Sequence, residues 1–205
     1  MFAYQLGLSL SSTMKKSIYI VSLLLMTGLF SCDGIFVPDP IDPRLPKYTE
    51  EGNNVAGAFV DDVFWKSVVG YHFAVTDRPQ MILFPPKDSL VLYFYGSTQD
   101  KSATIEFHLK GSKVTQFNDL AAWEGKKILL DGTSGRGIYN DCETSTEFRS
   151  QTGQFYLKHV DLVKGIISGT FGFTAIDKTG KIIKVKSGRF DYTEPEILLE
   201  SGEDE

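Results

Sequence analysis

From residue 53 to residue 193 the apolar positions recur in short runs separated by turn-forming residues. None of the runs sustains the 3.6-residue spacing of an amphipathic helix. Segments 55–61, 64–68, 70–76 and 81–84 come first, the last ending at Pro85-Pro86. Segments 90–95 and 103–110 follow. In the second, Ile105, Phe107 and Leu109 alternate with Glu106, His108 and Lys110, the two-residue period of a strand with one buried face. Further β-type runs cover 126–130, 153–163, 166–176 and 181–193. One stretch, residues 118–124, predicts a helical turn capped by Asn118 and stopped by Gly125. The pattern predicts an all-β domain of antiparallel strands, either a β-sandwich or a flattened β-barrel.

The last two runs predict a specific pairing. Residues 177–181 form a short loop with Gly180 where a positive φ is needed. Setting Ile176 opposite Ile182 brings Phe173 opposite Val185, so Phe171, Phe173, Ile183 and Val185 share a face. Phe190 and Tyr192 reach that face only if one residue is inserted, which predicts a β-bulge at Ser187-Gly188. Residues 168–173 and 187–192 share a Ser-Gly-x-Phe-x-aromatic pattern, and two copies are too few for a repeat protein.

Residues 90–95, Leu-Val-Leu-Tyr-Phe-Tyr, are apolar on both faces, so this strand is covered on both sides or lines a cavity. Tyr93 and Tyr95 share one face, as Tyr71 and Phe73 do in 70–76. Two readings follow. One is an aromatic platform or barrel interior for a sugar or other apolar ligand; the other is a core with tyrosine hydroxyls at its rim.

The N-terminal pattern is different. Lys15-Lys16 precede an apolar run over 18–30. As a helix this run covers about 20 Å, against a hydrocarbon core of about 30 Å. It suits the h-region of a signal peptide better than a membrane span. Leu29-Phe30-Ser31-Cys32 resembles the lipobox of bacterial lipoproteins, in which diacylglycerol is transferred to the cysteine thiol before cleavage. Phe30 departs from the small residue usual at its position. The reading makes 1–31 a signal peptide, with Met14 as its true start, and Cys32 the lipidated first residue. Residues 32–52, with prolines at 38, 40, 43 and 46, predict an extended, semi-rigid tether. Residues 194–205 predict an acidic, solvated tail, which leaves 53–193 as one β-domain.

Composition narrows the function classes. Lys+Arg 21 against Asp+Glu 26 gives a net charge of −5, the wrong sign for gripping nucleic-acid phosphates. At 42% hydrophobic the chain is too apolar for intrinsic disorder. With Cys32 assigned to a lipid, Cys142 has no partner for an intramolecular disulfide, so the fold rests on its core.

Residues 57–65, Gly-Ala-Phe-Val-Asp-Asp-Val-Phe-Trp, and the closing Ser-Gly-Thr-Phe-Gly-Phe and Ser-Gly-Arg-Phe-Asp segments resemble small lipoproteins of Bacteroidota grouped as a domain of unknown function. The resemblance covers most of 53–193. It implies an envelope location and a compact β fold, and it carries no functional residues.

Residue by residue, little points to catalysis. His72, His108 and His159 lie on separate candidate strands, without the clustered spacing of metal ligands. Pairing Cys142 with His159 as a nucleophile would need a lowered thiol pKa, and Asp141 and Glu143 act the other way. The glycine-rich loop 131–137 lacks the Gly-Lys-Ser/Thr of a phosphate cradle, and Ser134 lacks a hydrolase-elbow context. Its Ser134 and Arg136 are candidate ligand contacts, because binding residues gather on loops. Carboxylate pairs for glycosidase work would come from Asp61, Asp62, Glu106, Asp161 or Asp191, with Asp61-Asp62 also read as a hairpin turn.

The expectation is a non-enzymatic, lipid-anchored cell-envelope domain with a binding or structural role, in the outer rather than the inner membrane. Its contacts are Tyr93, Tyr95, Ser134 and Arg136. Its partners are the membrane, through the lipid on Cys32, and a glycan or envelope protein. No cofactor, metal or nucleic acid is expected. The alternative is a small envelope hydrolase, or a barrel carrying an apolar or glycan ligand with the 131–137 loop at its rim.

Overall fold

The computed structural model describes residues 42–68, 81–84, 89–99, 101–193 and 195–197. The predicted signal peptide, Cys32, His72, Tyr71 and Phe73, the first part of the tether and the end of the acidic tail lie outside them. The strands are β1 (Val55–Val60), β2 (Val63–Ser67), β3 (Met81–Phe84), β4 (Ser89–Thr98), β5 (Lys101–Lys110) and β6 (Lys127–Leu129). They continue with β7 (Gly135–Asp141), β8 (Thr146–Asp161), β9 (Ile166–Ile176), β10 (Ile182–Thr193) and β11 (Glu196–Ile197). Eight of them run in the order β4-β2-β1-β10-β9-β8-β7-β5, and β4 pairs with β5 to close the ring. Every pairing around the ring is antiparallel. The fold is therefore a closed antiparallel β-barrel, the second of the two architectures expected. β3 adds to β4 outside the ring, β11 adds to β3, and β6 pairs with β8.

Two strands were not legible as such. β7 takes in the last three residues of the stretch read as a glycine loop, 135–137, and β8 begins at Thr146 instead of residue 153. β7 contains Gly135 and Gly137, whose lack of a side chain makes room inside the barrel for Ile128 and Phe173. Packing against the lumen, rather than turn formation, accounts for these glycines.

The lumen is filled by side chains. Phe107 lies 4.9 Å, centroid to centroid, from both Phe155 and Phe171, and Phe94 and Phe155 lie 5.4 Å and 5.6 Å from Phe190. Trp65, Leu90, Leu92, Ile105 and Tyr192 complete this layer, all essentially inaccessible. Burying each large aromatic contributes about 2–3 kcal/mol, and each offset or edge-on pair about 1 kcal/mol more.

The C-terminal hairpin has the predicted pairing: Ile176 faces Ile182, Phe173 faces Val185, and the β-bulge falls between Val185 and Gly188. Ser187 takes φ 53 there, and Phe190 and Tyr192 return to the interior. The two Ser-Gly-x-Phe copies interlock. Gly188 pairs with Phe171 and Gly169 with Phe190. A Cβ on Gly188 would stand 2.2 Å from the Phe171 ring, and one on Gly169 would stand 2.7 Å from the Phe190 ring. Each copy thus supplies the glycine on which the other's phenylalanine lies.

The second half of the Pro-rich segment is fastened to the barrel. Asp191, 2% exposed, accepts the Thr49 hydroxyl and the backbone N–H groups of Gly52 (2.8 Å) and Asn53 (3.2 Å). The Tyr48 and Ser168 hydroxyls are 3.1 Å apart, and Arg189 donates to the Pro46 carbonyl at 3.3 Å. Pro46 lies over Gly57, where a Cβ would come within 2.4 Å of its ring, and Leu45 is buried. Residues 45–52, expected as part of an extended, semi-rigid tether, form together with Asn53 a strap on the outside of the barrel, residues 45–53. Its anchors are the Ser and Asp of the two interlocking copies.

Between β5 and β6 the predicted helical turn is a 3₁₀ helix, Phe117–Trp123. Its cap is Gln116, not Asn118. The Asp119 carboxylate accepts the N–H groups of Thr115 (2.8 Å) and Gln116 (3.1 Å), which settles the first turn one residue earlier than Asn118 would. Gly125, at φ 73, ends it as expected. Leu120 and Trp123 are buried in the common core, so this turn closes the barrel where β5 leaves it.

Candidate functional site

Alternation along β4 sends Leu90, Leu92 and Phe94 into the lumen and leaves Val91, Tyr93 and Tyr95 outside, half-buried. The two tyrosines therefore do not line a barrel interior; they lie on its outer surface. Pairing then sets their neighbours. Tyr95 stands opposite Thr104, Tyr93 opposite Glu106 and Val91 opposite His108. One strand further, Thr104 faces Asn140, Glu106 faces Ile138 and His108 faces Arg136. Directly opposed antiparallel side chains have Cβ atoms about 5 Å apart, so these nine residues form one continuous patch.

The patch has an aromatic side and a polar side. The Tyr93 and Tyr95 rings are 4.6 Å apart at 58°, a tilted pair forming a shallow corner. Beside them the Asn140 side-chain amide donates to Glu106 Oε1 at 2.8 Å and to Thr104 Oγ1 at 3.3 Å. Glu106 Oε2 lies 3.5 Å from His108 Nε2. The Glu106 side chain is 16% exposed and that of His108 is 46% exposed, so one face of the network is open to solvent. Burial pushes the Tyr93 phenol up to about 12, with the neighbouring Tyr95 and Glu106 adding to the rise and Thr104 opposing it. Tyr93 therefore presents a neutral hydroxyl at any physiological pH. The arrangement offers ring faces for apolar contact beside a fixed donor–acceptor row, which suits recognition of a polyhydroxylated ligand.

The predicted site residues divide. Tyr93, Tyr95 and Arg136 share this face. Ser134 stays in the loop, where its N–H donates to Asp131 Oδ1 at 3.1 Å and its carbonyl accepts from Lys110 at 3.0 Å. Its contribution is to turn geometry. Thr104, Glu106 and Asn140 were not singled out as contacts. Outward parity in 103–110 already put Glu106 and His108 on one face, but Asn140 falls in the stretch after the 131–137 loop to which the pattern assigned no strand.

The remaining candidates have structural roles. Cys142 follows β7 and His159 sits near the far end of β8, so the sixteen-residue strand keeps them apart. Burial, Asp141 and Glu106 push the Cys142 thiol up, away from nucleophile chemistry. His159 lies 3.4 Å from Glu124. Among the described residues no three His, Cys, Asp or Glu side chains converge on a metal position. Asp61 and Asp62, at φ 46 and 70, form the expected hairpin turn, Asp161 caps the β8–β9 turn, and Asp191 anchors the strap. Of the nine patch positions only Glu106 is acidic.

A cleft adjoins the patch. Arg44 just before the strap, Asp62, Phe64 and Lys66 of the β1–β2 hairpin, and Ser97 and Gln99 at the end of β4 line a half-open cleft of ≈ 360 Å³. Ser97 pairs with Lys66 on one side and Ser102 on the other, and it lies two residues along β4 from Tyr95 on the same outer face. Compared with protein-family models, curated proteins and solved structures, the chain matches none of them.

Proposed function

We propose that this protein is a lipid-anchored cell-envelope domain that binds a carbohydrate on the outer face of β4, β5 and β7. The observation that carries the binding assignment is the Tyr93–Tyr95 corner beside the Asn140–Glu106–Thr104 network, on a barrel whose lumen is occupied by its own side chains. A ligand meets such a barrel on the outside. The envelope location is supported by the lipobox ending at Cys32 and by the resemblance to Bacteroidota lipoproteins.

Two experiments test the two halves. A glycan and peptidoglycan array probed with the full chain in detergent should give a defined set of binders. Tyr95→Ala should weaken them about three- to tenfold, as expected for losing one aromatic face. Binding unchanged in Tyr95→Ala and Tyr93→Ala alike would reject this face. For the anchor, Cys32→Ala should abolish labelling by a fatty-acid analogue and release the protein from membranes; persistent labelling would reject the lipid assignment.

A further inference from the structure

The patch and the cleft form one path. Tyr93, Tyr95 and Ser97 lie on the same outer face of β4, and the four residue steps from Tyr93 to Ser97 span about 13 Å of extended strand. A path that runs from the patch into the cleft suits a chain laid lengthwise better than a compact molecule. The chemistry changes along it, from aromatic and neutral polar at Tyr93 and Tyr95 to cationic at the cleft.

The cleft cations are held in different ways. The Arg44 guanidinium is clamped by Asp42 through Nε and Nη2, at 3.0 Å and 2.7 Å, and stacks 4.6 Å above the Phe59 ring. That pairing offsets much of its charge and leaves its Nη1 edge uncommitted among the described residues. Asp62, the one acid lining the cleft, faces Lys186 at 3.2 Å, which offsets its charge. Lys66 has no acidic partner among the described residues. With Asp42 set against Arg44 and Lys186 against Asp62, the charge left over at this half-open cleft among the described residues is the Lys66 ammonium, and together with the open Nη1 edge of Arg44 it favours an anion. On a chain with net charge −5 this local preference runs against the overall field.

We infer that the ligand is an anionic oligosaccharide lying along β4, its rings on Tyr93 and Tyr95 and a carboxylate-bearing unit in the cleft between Arg44 and Lys66. This rests on the carbohydrate reading of the patch and adds the ligand's charge and direction. It also gives the strap a use, since docking of the strap holds the preceding Arg44 at the cleft.

The test compares neutral oligosaccharides with their uronic-acid counterparts of the same linkage, on an array and then by calorimetry, using the full chain in detergent. The acidic members should bind about fivefold more tightly at low salt, the scale of one partly exposed charge pair. Added salt should erase the difference. Lys66→Ala should remove the preference while keeping neutral binding, and Tyr95→Ala should weaken both series. Equal affinity for the two series, or a preference that survives Lys66→Ala, overturns the inference and leaves the carbohydrate reading standing. No binding by either series overturns both.

Discussion

Removing the Asp191 carboxylate should release the strap and leave the barrel closed. The two oxygens accept the Thr49 hydroxyl and the N–H groups of Gly52 and Asn53 at 2.8 Å and 3.2 Å, with Glu51 N–H and the Asn53 side-chain amide each at 3.3 Å. A hydrogen bond to a charged group is worth about 1.5–3 kcal/mol, but bonds sharing one carboxylate do not add. Their donors sit on a segment that can swing into water, so Asp191→Ala forfeits strap docking instead of burying orphaned N–H groups. The expected loss is about 2–4 kcal/mol, or about 10 °C in Tm for a domain of this size. Hydrogen exchange and limited trypsin digestion after Lys47 localise that loss. In Asp191→Ala the amides of 45–53 should lose protection, and cleavage at Lys47 should accelerate at least about thirtyfold, the equivalent of 2 kcal/mol. Exchange in β5, β8 and β9 should change only by the global amount. A lowered Tm with the strap amides still protected would refute the reasoning, because Asp191 would then stabilise the barrel and not the strap.

Other consequences follow from the same geometry. Gly169→Ala should cost more than the usual 1–3 kcal/mol of overpacking, since its Cβ would stand 2.2 Å from the fixed Tyr156 carbonyl as well as under the Phe190 ring; a chemical-denaturation midpoint within error of the parent would contradict the interlock. Tyr192→Phe should raise stability by about 1 kcal/mol, because the buried Tyr192 hydroxyl has no hydrogen-bond partner among the described residues; a lower Tm would show that the Ser67 hydroxyl or another group serves it. Acid should destabilise the fold. The Ser134 N–H at Asp131, the Lys164 N–H at Asp161 and the Thr179 hydroxyl at Asp177 hold those carboxyls below their ordinary range. Groups lowered in this way contribute stability above an unfolded pKa of about 4 and lose it as pH falls through the folded value. The denaturation midpoint should therefore be level from neutral pH to about pH 5 and drop below about pH 4; a midpoint that rises on acidification would contradict the assignment.

How much of this was readable from the chain depends on the range of the interactions involved. The β9–β10 hairpin, its pairing and its bulge followed from residue parity and one glycine loop, because everything that determines them lies within thirty residues. The closed ring did not, since joining β4 to β2 and β5 to β7 pairs segments with no local signature. β7 was lost for a related reason. Gly135 and Gly137 read as loop residues until the ring placed Ile128 and Phe173 against them. The Tyr93–Tyr95 face was visible in the alternation of 90–95, but its polar half required Asn140 to arrive across two strands. The strap was misread because prolines announce an extended backbone without saying what it lies on. Asp191 was noted only as a possible acid for catalysis, whereas burial under residues 49–53 gives it its role.

The central claim is that ligand contact lies on the outer face of β4, β5 and β7. It is tested most directly by titrating the isotopically labelled full chain, in detergent micelles, with the best-binding oligosaccharide and following chemical shifts. Perturbations should centre on Tyr93, Tyr95, Thr104, Glu106, His108 and Asn140 and extend to Lys66, leaving the interior Phe107 and Phe155 unmoved. Shifts centred on the 131–134 loop or on the exposed Leu162-Val163 turn, with none in β4, would contradict it.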